Sequence, residues 1–260
     1  MGFVAPGVAT PQVKAAATKA VELDPELPLA HYALGMAAWN EWDWETNEAE
    51  FRRAIQLDPN FAEVRAFYSH LLIALKRPEE ALAQIERARQ LDPLNAFVQA
   101  LHGVDLYFVR RYDEAIVQLQ GALKTSPDLP FAHCVLANAF NVKGEAEQAF
   151  KGTQGCLAHY GSEVTDALMR GYSETGYQGA MRRVADLLAV GIGGTYVPPV
   201  DVFAAYMHAH QEDAALQWLA KAVDVRDPNL YGALRDPFVI DRVADDPRFR
   251  EILRRTRLPI

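Results

Sequence analysis

The chain has 260 residues, half of them hydrophobic, with 26 basic against 34 acidic side chains and a net charge of −8. That composition excludes a disordered tail, and an acidic chain lacks the basic stripe that a phosphate backbone requires, so direct nucleic-acid binding is not expected. No uninterrupted apolar run approaches the ~18 residues needed to span a bilayer, so no membrane insertion is expected. Two cysteines, Cys134 and Cys156, are too few for a disulfide-built secreted domain and fit a reducing compartment, which makes the cytoplasm the expected location.

Residues 1–10 hold Gly2, Pro6 and Gly7 and read as a flexible lead-in, without the basic start and long apolar core of a signal peptide. Pro11 suits a helix start, and Val13, Ala16, Ala17, Ala20 and Val21 carry one helix on to Leu23. This helix stands where the second member of a pair belongs, and no first member precedes it. A single amphipathic helix cannot bury its apolar face alone. The expectation is that the chain is cut from something longer, and that residues 11–23 support a homodimer.

From there the chain counts in 34s. Pro25, Pro59, Pro93 and Pro127 are each 34 residues apart, and the first three close the tripeptides Leu23-Asp24-Pro25, Leu57-Asp58-Pro59 and Leu91-Asp92-Pro93. A fixed period of this length marks a stacked repeat array. Each unit reads as two helices: 29–40 and a helix through Phe51, 62–75 and 79–91, 96–108 and 112–124, 130–142 and 145–159. Small residues recur in phase at Ala54, Ala88, Ala122 and Cys156, and again at Ala81, Ala115 and Ala149, with Asn47 breaking the second series. A third small position runs through Gly35, Ser69, Gly103 and Ala137, and a large apolar one through Phe51, Ile85 and Leu119. Small residues at fixed points let paired helices approach closely.

After Gly161 the proline phase fails. Residues 164–173 and 180–190 read as a degenerate fifth pair around Gly176, followed by the Gly191–Gly194 loop and the Pro198-Pro199 break. Residues 200–209 and 214–225 form a last pair. Three Asp-Pro steps, Asp227-Pro228, Asp236-Pro237 and Asp246-Pro247, each suit a turn and a short helix, the last carrying Phe249, Ile252 and Leu253 inward. The domain reading is a lead-in at 1–10, an array at 11–160 (a half repeat plus four full ones), a degenerate pair and loop at 161–198, and a last pair with capping helices at 199–260.

The pattern resembles the tetratricopeptide repeat: Leu34-Gly35, Phe51, Ala54 and Pro59 in one unit, Gly103, Ala115, Ala122 and Pro127 in another. It departs from that repeat where a tryptophan is expected, at His31, Arg65, Gln99 and His133. The run from Tyr196-Val197-Pro198 through Trp218-Leu219-Ala220-Lys221-Ala222 to Asp246-Pro247-Arg248-Phe249 resembles the C-terminal region of bacterial repeat proteins. In these an N-terminal winged-helix, adenylate-cyclase or protein-kinase domain precedes the array. The resemblance implies an all-α, right-handed superhelix of antiparallel helix pairs with a less regular helical cap. It also implies a non-enzymatic scaffold that binds a protein or peptide segment, or else the regulatory half of a larger signalling protein.

In such an array the first helices make the concave wall. The resemblance then places Tyr32, Met36, Trp39, Asn40, Phe67, His70, Ile73, Phe97, Leu101, Tyr107, Phe131, Asn138 and Asn141 in the groove, together with Val104 and Cys134. Some of these are expected to pack between helices instead. The positions of the family's Lys, Asn and Arg carboxylate clamp hold Tyr32, Met36, Phe67, Phe97 and Leu101, so an apolar or aromatic segment is the expected ligand.

Other chemistry finds little support. Cys134, Cys156, His133 and His159 lack the paired spacing of a metal knuckle, and Cys156 reads as a small core residue. The Gly191–Gly194 loop has no P-loop lysine. An enzyme built around His208, His210 and Asp213 would need a converging acid, base and nucleophile, and these residues read as a solvated turn. No catalytic residue, metal or cofactor is expected. Arg110-Arg111, Arg182-Arg183, Arg254-Arg255 and Arg257 read as solvated or paired with acids.

Overall fold

A computed structural model describes residues 6–194 and 196–259 of the chain. Among them are fifteen α-helices: α1 (Pro6–Leu23), α2 (Pro28–Glu41), α3 (Trp44–Leu57), α4 (Ala62–Ala74), α5 (Pro78–Leu91), α6 (Ala96–Phe108), α7 (Tyr112–Thr125), α8 (Pro130–Val142), α9 (Ala146–Leu157), α10 (Ser162–Val190), α11 (Pro199–His208), α12 (Glu212–Asp224), α13 (Leu230–Arg235), α14 (Pro237–Val243) and α15 (Pro247–Arg255). The first helix starts at Pro6, inside the segment expected to be a lead-in, and carries Pro11 within it. Residues 1–5 of that lead-in lie outside the described residues.

The hinge of every pair is the same backbone feature. Trp42, Lys76, Arg110, Gly144, Gly176 and His210 all have positive φ, between 55° and 77°. All but Gly176 end the first helix of their pair in the left-handed conformation, whereas Gly176, with ψ −171°, takes an extended positive-φ conformation open to glycine. In the five pairs other than that of Gly176, the next amide bonds five residues back, as in Arg111 N to Leu106 O at 2.9 Å and Gln211 N to Tyr206 O at 3.0 Å. That is a Schellman closure, which satisfies carbonyls left open at a helix end. The ladder of hinges continues past the last recurring proline. The repeat geometry therefore runs to six pairs, with α10 bent into the fifth at Gly176 and α11–α12 forming the sixth.

The recurring Asp-Pro step is also explained. Asp24 and Asp58 accept the amides of Glu26 and Asn60 at 3.0 and 2.9 Å, an aspartate turn across the proline. The carbonyl of that proline is then capped from the next helix. His31 bonds Pro25 O at 3.0 Å, Arg65 bonds Pro59 O at 2.9 Å, and His133 bonds Pro127 O at 2.9 Å. These are the positions where the repeat pattern wants tryptophan; the polar side chains there hold the inter-repeat turn.

Within a pair, the small position of the first helix faces the large one of the second. A Cβ on Gly35 would lie 2.5 Å from the Phe51 ring, and one on Gly103 would lie 2.6 Å from Leu119. Asn47, which interrupts the alanine series, is fully buried and donates to Gly35 O at 2.6 Å. The cysteines correct an expectation. Cys134 and Cys156 form a disulfide between α8 and α9, 22 residues apart. Ala66 and Ala88, and Ala100 and Ala122, occupy the same two phases in the preceding pairs and are fully buried. The disulfide is therefore the covalent counterpart of an alanine–alanine contact.

The C-terminal helices do more than cover the last pair. One hydrophobic core joins Trp39, Trp44, Tyr68 and Leu72 of the first two pairs to Leu216 and Leu219 of α12 and to Leu234, Phe238, Val243, Phe249 and Ile252 of α13–α15. Asp236 and Asp246 cap α14 and α15, each accepting an amide two residues on at 2.8 Å. Phe249, Ile252 and Leu253 are buried, as their spacing predicts. The chain thus returns to its own beginning and lies against the inner wall of the superhelix.

Candidate functional site, the inner wall and its cavity

The first helices α2, α4, α6, α8 and α11 face inward, and the returning segment is bonded to four of them. Trp39 Nε1 on α2 donates to Pro228 O at 3.2 Å. Arg235 reaches α4, donating to Ala74 O at 2.9 and 2.7 Å, and also reaches Pro259 O at 2.7 Å. On α6, the Tyr107 hydroxyl donates to Asp236 Oδ1 at 2.5 Å; on α8, Asn138 Nδ2 donates to Asp236 Oδ2 at 3.1 Å. Arg110 forks onto Asp241 with contacts of 2.8 and 2.5 Å. Trp44 Nε1 donates to Thr256 O at 2.8 Å.

Burial sets the electrostatics here. It pushes Asp236 up to about 6, against the Tyr107, Asn138 and Phe238 hydrogen bonds that hold it down. Tyr107 is raised well above its usual range, by burial first and then by the charge of Asp236. Burial lowers Arg235 to about 10. His208 overturns its reading as part of a solvated turn: it is 8% exposed, ends α11, and bonds Asn138 Oδ1 through Nε2 at 2.9 Å and Asn141 through Nδ1 at 3.2 Å. Burial, then the charges of Arg242 and His210, bring it down to about 4, so it is the neutral Nε2–H form. His210, two residues on, is exposed, as that reading had it.

Between the inner wall and the returning segment lies a cavity of about 530 Å³. Of the residues expected in the groove, Met36, Trp39, Asn40, Phe67, His70, Phe97, Leu101, Tyr107, Phe131 and Asn138 line it, as do Val104 and Cys134. Tyr32, Ile73 and Asn141 do not. Tyr32 is half-buried and donates to Glu63 at 3.0 Å, Ile73 is in the core shared with the C-terminal helices, and Asn141 is spent on His208. The wall is not an open groove: Trp39, His70, Leu101 and Tyr107 are all buried. What stays half-buried is an aromatic ladder across four pairs. Ring centroids step 5.8 Å from Tyr32 to Phe67, 5.9 Å to Phe97 and 5.5 Å to Phe131.

The far wall was not legible as part of a site. It consists of Pro228, Asn229, Tyr231, Gly232 and Asp236 from the returning segment, with Tyr160, Asp201, Phe203, Ala204 and Met207. The one signal in the sequence was the set of Asp-Pro steps, which announced turns without saying where the helices after them dock.

A family description of the tetratricopeptide repeat matches residues 48–103, which span α3 to α6. That match covers 56 of the 260 residues. The solved structures agree in fold. PilW, described as a widely conserved type IV pilus biogenesis factor, matches over 95% of this chain and 92% of its own, at TM-score 0.56 and 16% identity. PilF of Pseudomonas aeruginosa matches over 94% and 89%, at 0.52 and 18%. The APC/C hetero-tetramer Cut9-Hcn1 matches over 95% and 46%, at 0.57 and 13%. Identities this low show a shared fold alone. No curated protein matches the sequence. Most of the superhelix's inner wall is taken by the chain's own C-terminal segment. Among the described residues no helix is long and apolar enough to cross a membrane.

Proposed function

We propose that this tetratricopeptide protein is a non-enzymatic scaffold that holds an apolar segment of a partner protein against the ladder of Tyr32, Phe67, Phe97 and Phe131. The observation that carries this reading is the half-burial of the ladder beside a cavity that the returning segment leaves unfilled. Rigid aromatic anchors held by stacked helices lose little entropy on binding. A peptide array probed with the native chain and with Phe67→Ala and Phe97→Ala tests it. Loss of apolar-peptide binding in both variants is expected; unchanged binding in both overturns the ladder as the site.

The disulfide bears on the compartment. Disulfides persist in oxidising surroundings, so the bond between Cys134 and Cys156 favours such a compartment over the cytoplasm expected from the cysteine count. Mass spectrometry of the chain alkylated on extraction from its native host distinguishes the two. Self-association through residues 11–23 belongs to the same proposal, since α1 leaves Val13 44% and Leu23 75% exposed. Light scattering should give a dimer that deletion of residues 1–24 abolishes; an unchanged mass excludes that contact.

A further inference from the structure

The cavity beside the ladder is apolar and aromatic, and His70, His159 and His208 are the imidazoles in its lining. No lysine or arginine is among the residues that line it, whereas Asp201 and Asp236 are. Asp201 is bonded by the Tyr160 hydroxyl at 2.5 Å. Behind it, Asp227 accepts the backbone amides of Val200 and Asn229, at 3.3 and 3.1 Å. Burial raises all three carboxyls, and Asp201 and Asp227 face each other closely enough for the charge of one to raise the other. His159 is the basic group facing Asp201, and its charge acts against burial there. None of the three carboxylates forms an ion pair with a lysine or arginine among the described residues.

A second observation points the same way. His70 lines the cavity, is 3% exposed, and donates through Nδ1 to Asp105 at 2.5 Å, while its Nε2 has no partner among the described residues. The carboxyl oxygens of Asp201 and Asp236 facing this space are acceptors, so an occupant has to supply donors and positive charge. The aromatic faces of Phe97 and Tyr231 suit the same occupant, because a cation over an aromatic ring is attracted to it.

We propose that the cavity receives an alkylammonium group, the side chain of a lysine on the bound segment, with its methylene stem against the ladder and its ammonium end toward Asp201 and Asp236. A lysine has the required shape, an apolar stem with a charged tip. The carboxylates, unneutralised by any arginine or lysine, supply the charge complementarity that chooses it over a neutral or acidic residue. This inference rests on the reading of the ladder as the binding surface.

The test is fluorescence anisotropy on the full chain with fluorescein-labelled heptapeptides of Leu, Phe and Ala, whose central residue is Lys, acetyl-lysine or Glu. The lysine peptide is expected to bind at least about tenfold more tightly than the acetylated one, with the glutamate peptide weakest. It should also shift the methyl NMR signals of Met36, Met181 and Met207, which line the cavity. In Asp201→Asn the ratio of lysine to acetyl-lysine affinity should fall toward one. Equal binding of the lysine and acetyl-lysine peptides to the native chain overturns the inference, and if that binding still needs Phe97 the ladder reading stands. A preference without methyl shifts overturns the cavity as its source. Binding of none of the peptides removes both readings.

Discussion

The hydroxyl of Tyr107 donates to the carboxylate of Asp236 at 2.5 Å across 129 residues of sequence. Asn138 bonds the other oxygen of that carboxylate and also accepts from His208, so one buried network ties the third, fourth and sixth helix pairs to the returning segment. Removing the hydroxyl leaves a buried carboxylate short of a donor. Tyr107→Phe should cost about 1–3 kcal/mol, read as a lower urea midpoint with an unchanged slope. A midpoint within error of the native one would mean that the contact is not made in solution.

The same network predicts a pH response. Asp236 sits at about 6 in the folded chain and at the ordinary aspartate value of 3.8 when unfolded. The native state therefore takes up its proton first, and this residue adds stability as pH falls through 6 toward 3.8. Between pH 7 and pH 5 its contribution is about 1 kcal/mol. His208 acts in the opposite sense: at about 4 folded against 6.5 unfolded, it removes stability as pH falls through 6.5. Asp236→Asn should therefore lose more stability than the native chain on going from pH 7 to pH 5. Parallel pH profiles for the two proteins would contradict the assignment.

The disulfide yields a prediction with two parts. Cys134→Ala with Cys156→Ala restores the alanine pair that Ala66–Ala88 and Ala100–Ala122 already use, so the fold and its helical circular dichroism should persist. The bond closes a loop between residues 22 apart, and its loss should cost about 3 kcal/mol by relaxing the unfolded chain. Loss of the helical signal would show that the fourth pair depends on the bond.

Lys76 holds the hinge of the second pair at φ 59°. The left-handed conformation costs a side chain more than it costs glycine. Lys76→Gly should raise stability by up to about 1 kcal/mol, part of the gain being lost to a freer unfolded chain. A fall in melting temperature would mean that Lys76 makes contacts that outweigh its backbone strain.

Much of this architecture can be read from the chain because its determinants are local and repeat. The 34-residue phase places the small and large positions, and the bounds of α6 and α8 fall where the sequence puts them. The hinge at Gly176 is readable because glycine marks it, and the buried face of α15 because Phe249, Ile252 and Leu253 share one side. The return of residues 228–259 to the inner wall has no such signature. Trp39 with Pro228, and Arg235 with Ala74, are single contacts between distant positions, and no period announces them. That is why the groove residues could be picked out while the segment that covers them could not. The disulfide lies between these cases. Its spacing equals that of the two alanine pairs before it, so the signal was present, but the alanine phase of Cys156 alone suggested only a small core residue.

Whether the C-terminal segment packs on the inner wall in solution is read most directly by native-state hydrogen exchange of the α14 amides. Val239 and Ile240 bond the Asp236 carbonyl at 3.1 and 2.9 Å, and Ala244 bonds the Ile240 carbonyl at 3.1 Å. If the segment belongs to the core it shares with Trp39, Trp44 and Leu72, these amides exchange only through global unfolding, at the free energy of the most protected amides of α4 and α6. Exchange of α14 by local opening, several kcal/mol below that limit while α4 and α6 stay protected, would contradict a closed inner wall.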